Sequence, residues 1–125
     1  IFSGHGFVVT PLETGIRVGG AVELGGLKLP PNYSRSEMML RKAEQFMPGL
    51  QSQGGRQWMG YRPSTPDSLP VIGRSRSTAN VLYAFGHGHL GLTQSGVTGR
   101  LVSDLIAGGE PSISLEPYGP QRFRS

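Results

Sequence analysis

The sequence has 125 residues, no cysteine and three histidines, with a formal charge of +4 from 12 Lys and Arg against 8 Asp and Glu. This length fits one domain or a piece of a larger one, and the lack of cysteine excludes disulfides and thiolate metal sites. The basic residues are scattered, so we expect an anionic small-molecule substrate rather than nucleic acid, and no metal site. No apolar run reaches the ~20 residues that a membrane-spanning helix needs.

The start of the chain is typical of short antiparallel strands. Apolar and polar residues alternate loosely over 6–29, and Gly-Gly pairs interrupt the alternation. Tight connections of this kind predict strands at residues 7–10, 16–19 and 21–24.

An amphipathic helix should follow at residues 35–47. Ser34 with Glu37 three residues later is a capping-box pattern, and Pro48-Gly49 ends the segment. Its apolar residues recur at helical spacing and predict one buried face, formed by Met39, Ala43, Phe46 and Met47.

The second half predicts further strands, a rigid loop and a second helix. Residues 57–62 and 81–85 favour strands, and residues 69–73 form a short apolar segment. Two prolines three positions apart make the connection over 63–67 extended and stiff. The second helix is predicted at residues 94–107, where one face carries Val97, Leu101, Leu105 and Ile106.

Together these elements predict an α+β fold. The strands could form one antiparallel sheet. We favour the alternative, in which the strand at 81–85 and the helix at 94–107 belong to a different layer from the strands within 6–29. Residues 73–80 show no return to the first sheet, which is the reason for that preference.

A glycine-rich turn joins the strand at 81–85 to the second helix. Residues 86–93 read Gly-His-Gly-His-Leu-Gly-Leu-Thr, and the missing Cβ atoms allow a ligand to approach the backbone. The first amides of a helix have no intrahelical partner and carry the positive end of its dipole, so the turn suits an electron-rich group. The turn lacks the Gly-Lys-Ser/Thr ending of a phosphate loop. Taken alone, it would be a ligand-free connection.

Three segments, in this order, resemble the C-terminal part of the FAD-dependent D-amino acid oxidase, glycine oxidase and D-amino acid dehydrogenase family. They are Gly-Tyr-Arg-Pro-Ser-Thr-Pro-Asp at 60–67, Leu-Pro-Val-Ile-Gly at 69–73, and residues 83–93 leading into 99–102. Residues 10–20 are also similar to part of the family's substrate domain. Within that family, these motifs look most like those of the bacterial D-amino acid dehydrogenases. The resemblance covers essentially the whole chain but only about the last third of a family member.

The resemblance implies a division of the chain. Residues 1–80 would belong to the substrate-binding domain with its antiparallel sheet, and residues 81–125 would be the C-terminal strand-turn-helix of the FAD-binding domain. Because the resemblance covers only about the last third of a family member, we expect a fragment that lacks the family's N-terminal Rossmann segment. In isolation it should lack turnover and most of its affinity for FAD.

The resemblance also implies roles for particular residues. Arg62 would bind the substrate α-carboxylate, with Tyr61 and His89 lining the substrate pocket. Hydride passes from Cα to flavin N5 in this family, so no catalytic side chain is assigned. We interpret His87 as structural, and Asp67 as a residue that orders the proline loop. Backbone N–H groups would contact the flavin along the turn formed by Gly88, His89, Leu90, Gly91, Leu92 and Thr93; Thr93 could also cap the helix.

The expected function of the parent protein is oxidative deamination of D-amino acids, with electrons passed to a quinone or to oxygen. A glycine- or sarcosine-type amine oxidase is an alternative, as is a non-catalytic binding domain that keeps the fold. A homo-oligomer is compatible with the sequence. We expect a cytoplasmic location, or the inner membrane surface, for the parent.

Overall fold

The computed structural model describes residues 2–78 and 80–123, so Ile1, Ala79, Arg124 and Ser125 lie outside the described residues. Within those ranges the chain has four strands in two antiparallel pairs and two α-helices, which confirms the predicted α+β class. The chain divides into two units between Tyr61 and Arg62. None of the helices described is both long and apolar enough to cross a membrane.

A hairpin forms the sheet of the first unit. Strand β1 (Val8–Leu12) pairs with β2 (Gly15–Gly19), with Val9 opposite Val18. Two of the three strands predicted within 6–29 are therefore confirmed. The third, at residues 21–24, is wrong: the segment pairs with no described strand, and Leu24 is 99% exposed. A short strand is not stable without a partner for its backbone groups.

The first helix, α1 (Ser34–Phe46), packs on this hairpin. Met39 and Ala43 are buried with Phe7, as the helical spacing predicts, whereas Phe46 is 44% exposed. The predicted capping box is wrong. Tyr33 precedes the helix without a capping side chain, and the Ser34 N–H donates instead to Asn32 Oδ1 at 3.1 Å.

A second hairpin forms the sheet of the other unit. Strand β3 (Val71–Arg74) pairs with β4 (Leu82–Phe85), and this pair is separate from β1 and β2, as the favoured alternative predicts. The strand predicted at 57–62 is wrong, because no described strand lies beside that segment to accept its hydrogen bonds. The predicted domain division at residue 80 stays a prediction.

The second helix, α2 (Gly91–Ala107), begins three residues before its predicted start. Leu101 is buried, and β3 contributes buried Val71 and Ile72 to the same unit. Val97 and Ile106, which share the apolar face predicted for this helix, are 61% and 69% exposed. The helix ends at Gly108, which takes a left-handed φ of 71° that a side chain would disfavour.

The C-terminal tail lies against β3. Two short 3-10 helices, Glu116–Tyr118 and Pro120–Arg122, form it. Gly73 of β3 meets the tail closely, since a Cβ added there would lie 3.2 Å from Pro120 Cδ. The tail is therefore part of the second unit's packing and brings Arg122 to the loop that precedes β3.

Candidate functional site

The proline loop, residues 63–70, folds back on itself through its own polar groups. The Ser68 N–H donates to the Thr65 carbonyl at 3.1 Å, and Thr65 Oγ1 donates to the Leu69 carbonyl at 2.7 Å. The Leu69 N–H donates to Asp67 Oδ1 at 3.1 Å, so Asp67 orders this loop, as interpreted from the sequence. Ser68 has a φ of 62°, a left-handed conformation that costs a non-glycine residue about 1–2 kcal/mol.

The glycine turn, residues 86–93, carries the chain from β4 into α2. Gly86 and Gly88 have φ values of 84° and 54°, and the Leu90 N–H closes the turn by donating to the His87 carbonyl at 3.0 Å. Leu90 is the residue before the helix, and no side chain caps it. The predicted alternative of Thr93 as the cap is therefore wrong, since Thr93 lies inside the first helical turn.

The proline loop and the glycine turn are joined directly. The Gly88 N–H donates to the Pro63 carbonyl at 3.0 Å, and Ser64 pairs with His87 in an isolated antiparallel bridge. Gly86 is buried against Thr65, whose Cγ2 would lie only 2.7 Å from an added Cβ. The residue that follows Arg62 is thus bonded to the turn predicted to meet the flavin.

This arrangement divides the amides of the glycine turn into two groups. Those of Gly88 and Leu90 already donate to carbonyls of the protein. The other amides of the turn, including those of Gly86 and His87, donate to no residue in the described ranges. Four of these free donors lie at the start of α2, where the helix dipole adds positive potential; they belong to His89, Gly91, Leu92 and Thr93.

The two histidines of the turn differ in their surroundings. His87 is partly buried, and its Nε2 lies 3.0 Å from Thr98 Oγ1 of α2. Both observations support the interpretation of His87 as a structural residue. His89 is exposed. A role of His89 beside substrate or flavin stays a prediction.

Arg62 and Tyr61 are both exposed. Among the described residues the Arg62 guanidinium has neither a hydrogen bond nor an ion pair, so its five N–H donors are available to a ligand. Tyr61 belongs to the first unit, where its side chain is 62% exposed. The structure thus brings the backbone at Arg62 to the glycine turn and leaves Tyr61 as a prediction.

A second arginine, Arg122, is fully engaged, and sequence reasoning missed its contacts. Arg122 Nε donates to Asp67 Oδ2 at 2.6 Å, and its Nη2 donates to Asp67 Oδ1 and to the Leu69 carbonyl. Its Nη1 donates to the carbonyls of Tyr118 and Gly119. Asp67 and Arg122 are 55 positions apart in the sequence, and no local sequence pattern predicts such a contact.

The pair with Arg122 predicts a pH effect on stability. Hydrogen bonding from Arg122 is the main cause that lowers the Asp67 pKa to about 2. A carboxyl whose pKa is lower in the folded state stabilises the fold above its unfolded value of about 3.9, and this contribution disappears as the pH falls towards 2. Asp67→Asn should therefore be less stable than wild type near neutral pH, and the difference should shrink between about pH 4 and 2.

Urea unfolding of both proteins across that range measures the effect. A difference in unfolding free energy that stays constant from neutral pH to about 2 would contradict it.

Comparison with known proteins identifies the family of this chain. The family described as FAD dependent oxidoreductase (DAO) matches residues 1–105. The chain is 42% identical to a D-amino-acid oxidase of Bradyrhizobium diazoefficiens, over 93% of this chain and 28% of that protein. It is 36% identical to a D-amino acid dehydrogenase of Paramagnetospirillum magneticum, over 97% and 29%. The chain thus spans less than a third of either relative's length, and it belongs to the DAO family of FAD-dependent oxidoreductases.

Proposed function

We propose that this chain is the C-terminal part of an FAD-dependent enzyme that oxidatively deaminates D-amino acids. The observation that carries the proposal is the hydrogen bond between Pro63 and Gly88, because it ties the residue that follows Arg62 to the glycine turn. The names of the two relatives favour a D-amino acid over glycine or sarcosine as the substrate.

The donor set of the glycine turn fits the flavin ring. An isoalloxazine edge offers carbonyl oxygens and ring nitrogens as acceptors, and the unpaired amides at the start of α2 are donors in a fixed arrangement. Gly88 has no side chain at this point of the turn. A Cβ added to it would lie 3.2 Å from Ser64 Oγ. The chain spans less than a third of either relative's length, so this fit concerns only the ring end of FAD.

The residues would then act by binding and by fixed electrostatics. The Arg62 guanidinium matches the two oxygens of an α-carboxylate and would hold the amino acid in one orientation. Bound FAD supplies the two-electron acceptor for the Cα hydride. The amides of Gly91, Leu92 and Thr93 would donate to the flavin ring where it gains negative charge, without having to reorganise during the reaction.

We also propose that Tyr61 and His89 contact the substrate. The relatives are named both oxidase and dehydrogenase, so the electron acceptor is either oxygen or a quinone-type molecule. The family's domain division would assign residues 1–80 to the substrate side and 81–125 to the flavin side.

The test is made on the full-length protein. It should carry flavin absorbance after purification, and a D-amino acid should bleach that absorbance in the absence of oxygen, whereas the L-enantiomer should not. A full-length protein without bound flavin, or one whose flavin no D-amino acid reduces, would refute the proposal.

A further inference from the structure

The proline loop is held at both of its ends. At the N-terminal end, the Pro63 carbonyl accepts from Gly88 of the glycine turn at 3.0 Å. At the C-terminal end, Arg122 binds both carboxylate oxygens of Asp67 and the Leu69 carbonyl. Arg62 directly precedes the first of these anchors, and the following proline restricts its backbone to extended conformations.

Arg122 is itself fixed. Its five N–H groups are all used, three on the proline loop and two on the tail carbonyls of Tyr118 and Gly119. The tail packs on β3 through Pro120 and Gly73. Only a planar fork with five donors can serve these acceptors together, so lysine is not an equivalent residue here.

The loop also stores backbone strain. Ser68 keeps a left-handed φ of 62° although it is not glycine. Such a conformation persists when surrounding contacts determine it, and strain of this kind is concentrated at functional sites. The contacts that hold Ser68 are the turn bond to Thr65 and the neighbouring bonds of Asp67 and Leu69.

We infer that the Asp67–Arg122 pair is a positioning device for Arg62. The pair holds the C-terminal end of the proline loop. The N-terminal end, at Pro63, therefore keeps one position against the glycine turn, and this fixes the backbone of Arg62, whose guanidinium binds the carboxylate. Asp67 and Arg122 are positioning residues that do not touch substrate. The inference rests on the proposed function, because it needs a carboxylate bound by Arg62.

The test compares two variants of the full-length holoenzyme. Arg122→Lys keeps the charge and loses the fork, and Asp67→Asn keeps the acceptor for the Leu69 N–H and loses the ion pair. Both should raise KM for the best D-amino acid substrate about tenfold, with kcat changed less than about threefold. Arg100→Lys is the control, because it alters another Arg–Asp pair of this unit, in which Arg100 of α2 is 76% exposed.

Two further measurements show whether the effect passes through Arg62. The primary amide of the same amino acid, assayed as substrate or competitive inhibitor, lacks the carboxylate and should bind all the variants equally well. The double variant Arg62→Ala/Arg122→Lys should be no worse than Arg62→Ala alone. An equal loss for acid and amide, or a further tenfold loss in the double variant, overturns the inference.

A readout independent of turnover is amide hydrogen exchange. The Ser68 and Leu69 amides should exchange about tenfold faster in both variants than in wild type, and Arg100→Lys should leave them unchanged. Unchanged exchange in both variants overturns the inference. If Arg122→Lys does not fold, Asp67→Asn decides alone. A wild type without flavin or without D-amino acid oxidation refutes the proposed function instead, whatever the exchange rates show.

Discussion

Replacing Arg62 by alanine in the full-length enzyme should raise KM for D-amino acids by about 100-fold. A guanidinium that binds a carboxylate with two charge-assisted hydrogen bonds contributes about 3 kcal/mol, and its loss leaves the acid group without a counter-charge. Arg62 is exposed and has no partner among residues 2–78 and 80–123, so its removal should cost little folding stability. Steady-state kinetics and thermal unfolding together measure both parts.

Two matched variants make this result specific. Arg76→Ala removes another exposed arginine of the same unit and should leave KM unchanged. Arg62→Lys keeps the charge without the planar fork and should fall between wild type and Arg62→Ala. If Arg62→Ala binds the amino acid as tightly as wild type does, Arg62 is not the carboxylate anchor.

The second large effect is expected at Gly86. Gly86→Ala should destabilise the protein by about 2–4 kcal/mol, from a left-handed backbone penalty and from overpacking. The φ of Gly86 is 84°, and the new Cβ would lie 2.7 Å from Thr65 Cγ2. Urea unfolding of wild type and variant measures the loss.

A change at Thr65 separates the two causes. Thr65→Ser removes the clashing methyl group and keeps the hydroxyl that donates to the Leu69 carbonyl. In the double variant the steric part of the loss should be recovered, while the backbone penalty of about 1–2 kcal/mol remains. A double variant as unstable as Gly86→Ala alone would show that Thr65 is not the group that Gly86 accommodates.

The sequence predicted best those elements whose signal is local. The periodic apolar residues of α1 and the apolar segments that became β3 and β4 were located to within a few residues. The strands expected at 21–24 and 57–62 were wrong because a strand depends on a partner elsewhere in the chain. The exposed Val97 and Ile106 show the same limit, since periodicity indicates a face and not what covers it.

The candidate site was predictable in its parts and not in its connections. Spacing indicated the glycine turn as a place for an electron-rich ligand, and the family resemblance indicated Arg62. Neither could reveal that the amides of Gly88 and Leu90 are already engaged, because that depends on where Pro63 and His87 place their carbonyls. The Asp67–Arg122 pair was invisible for the same reason, as it joins residues 55 positions apart.

The hydrogen bond between Pro63 and Gly88 has a consequence for how two ligands would bind together. A molecule that immobilises the turn at Gly88 also immobilises the backbone next to Arg62, so the entropy of ordering that region is lost only once. Under the proposed function, cofactor loading and carboxylate binding would then be thermodynamically linked, and each would favour the other by the same factor.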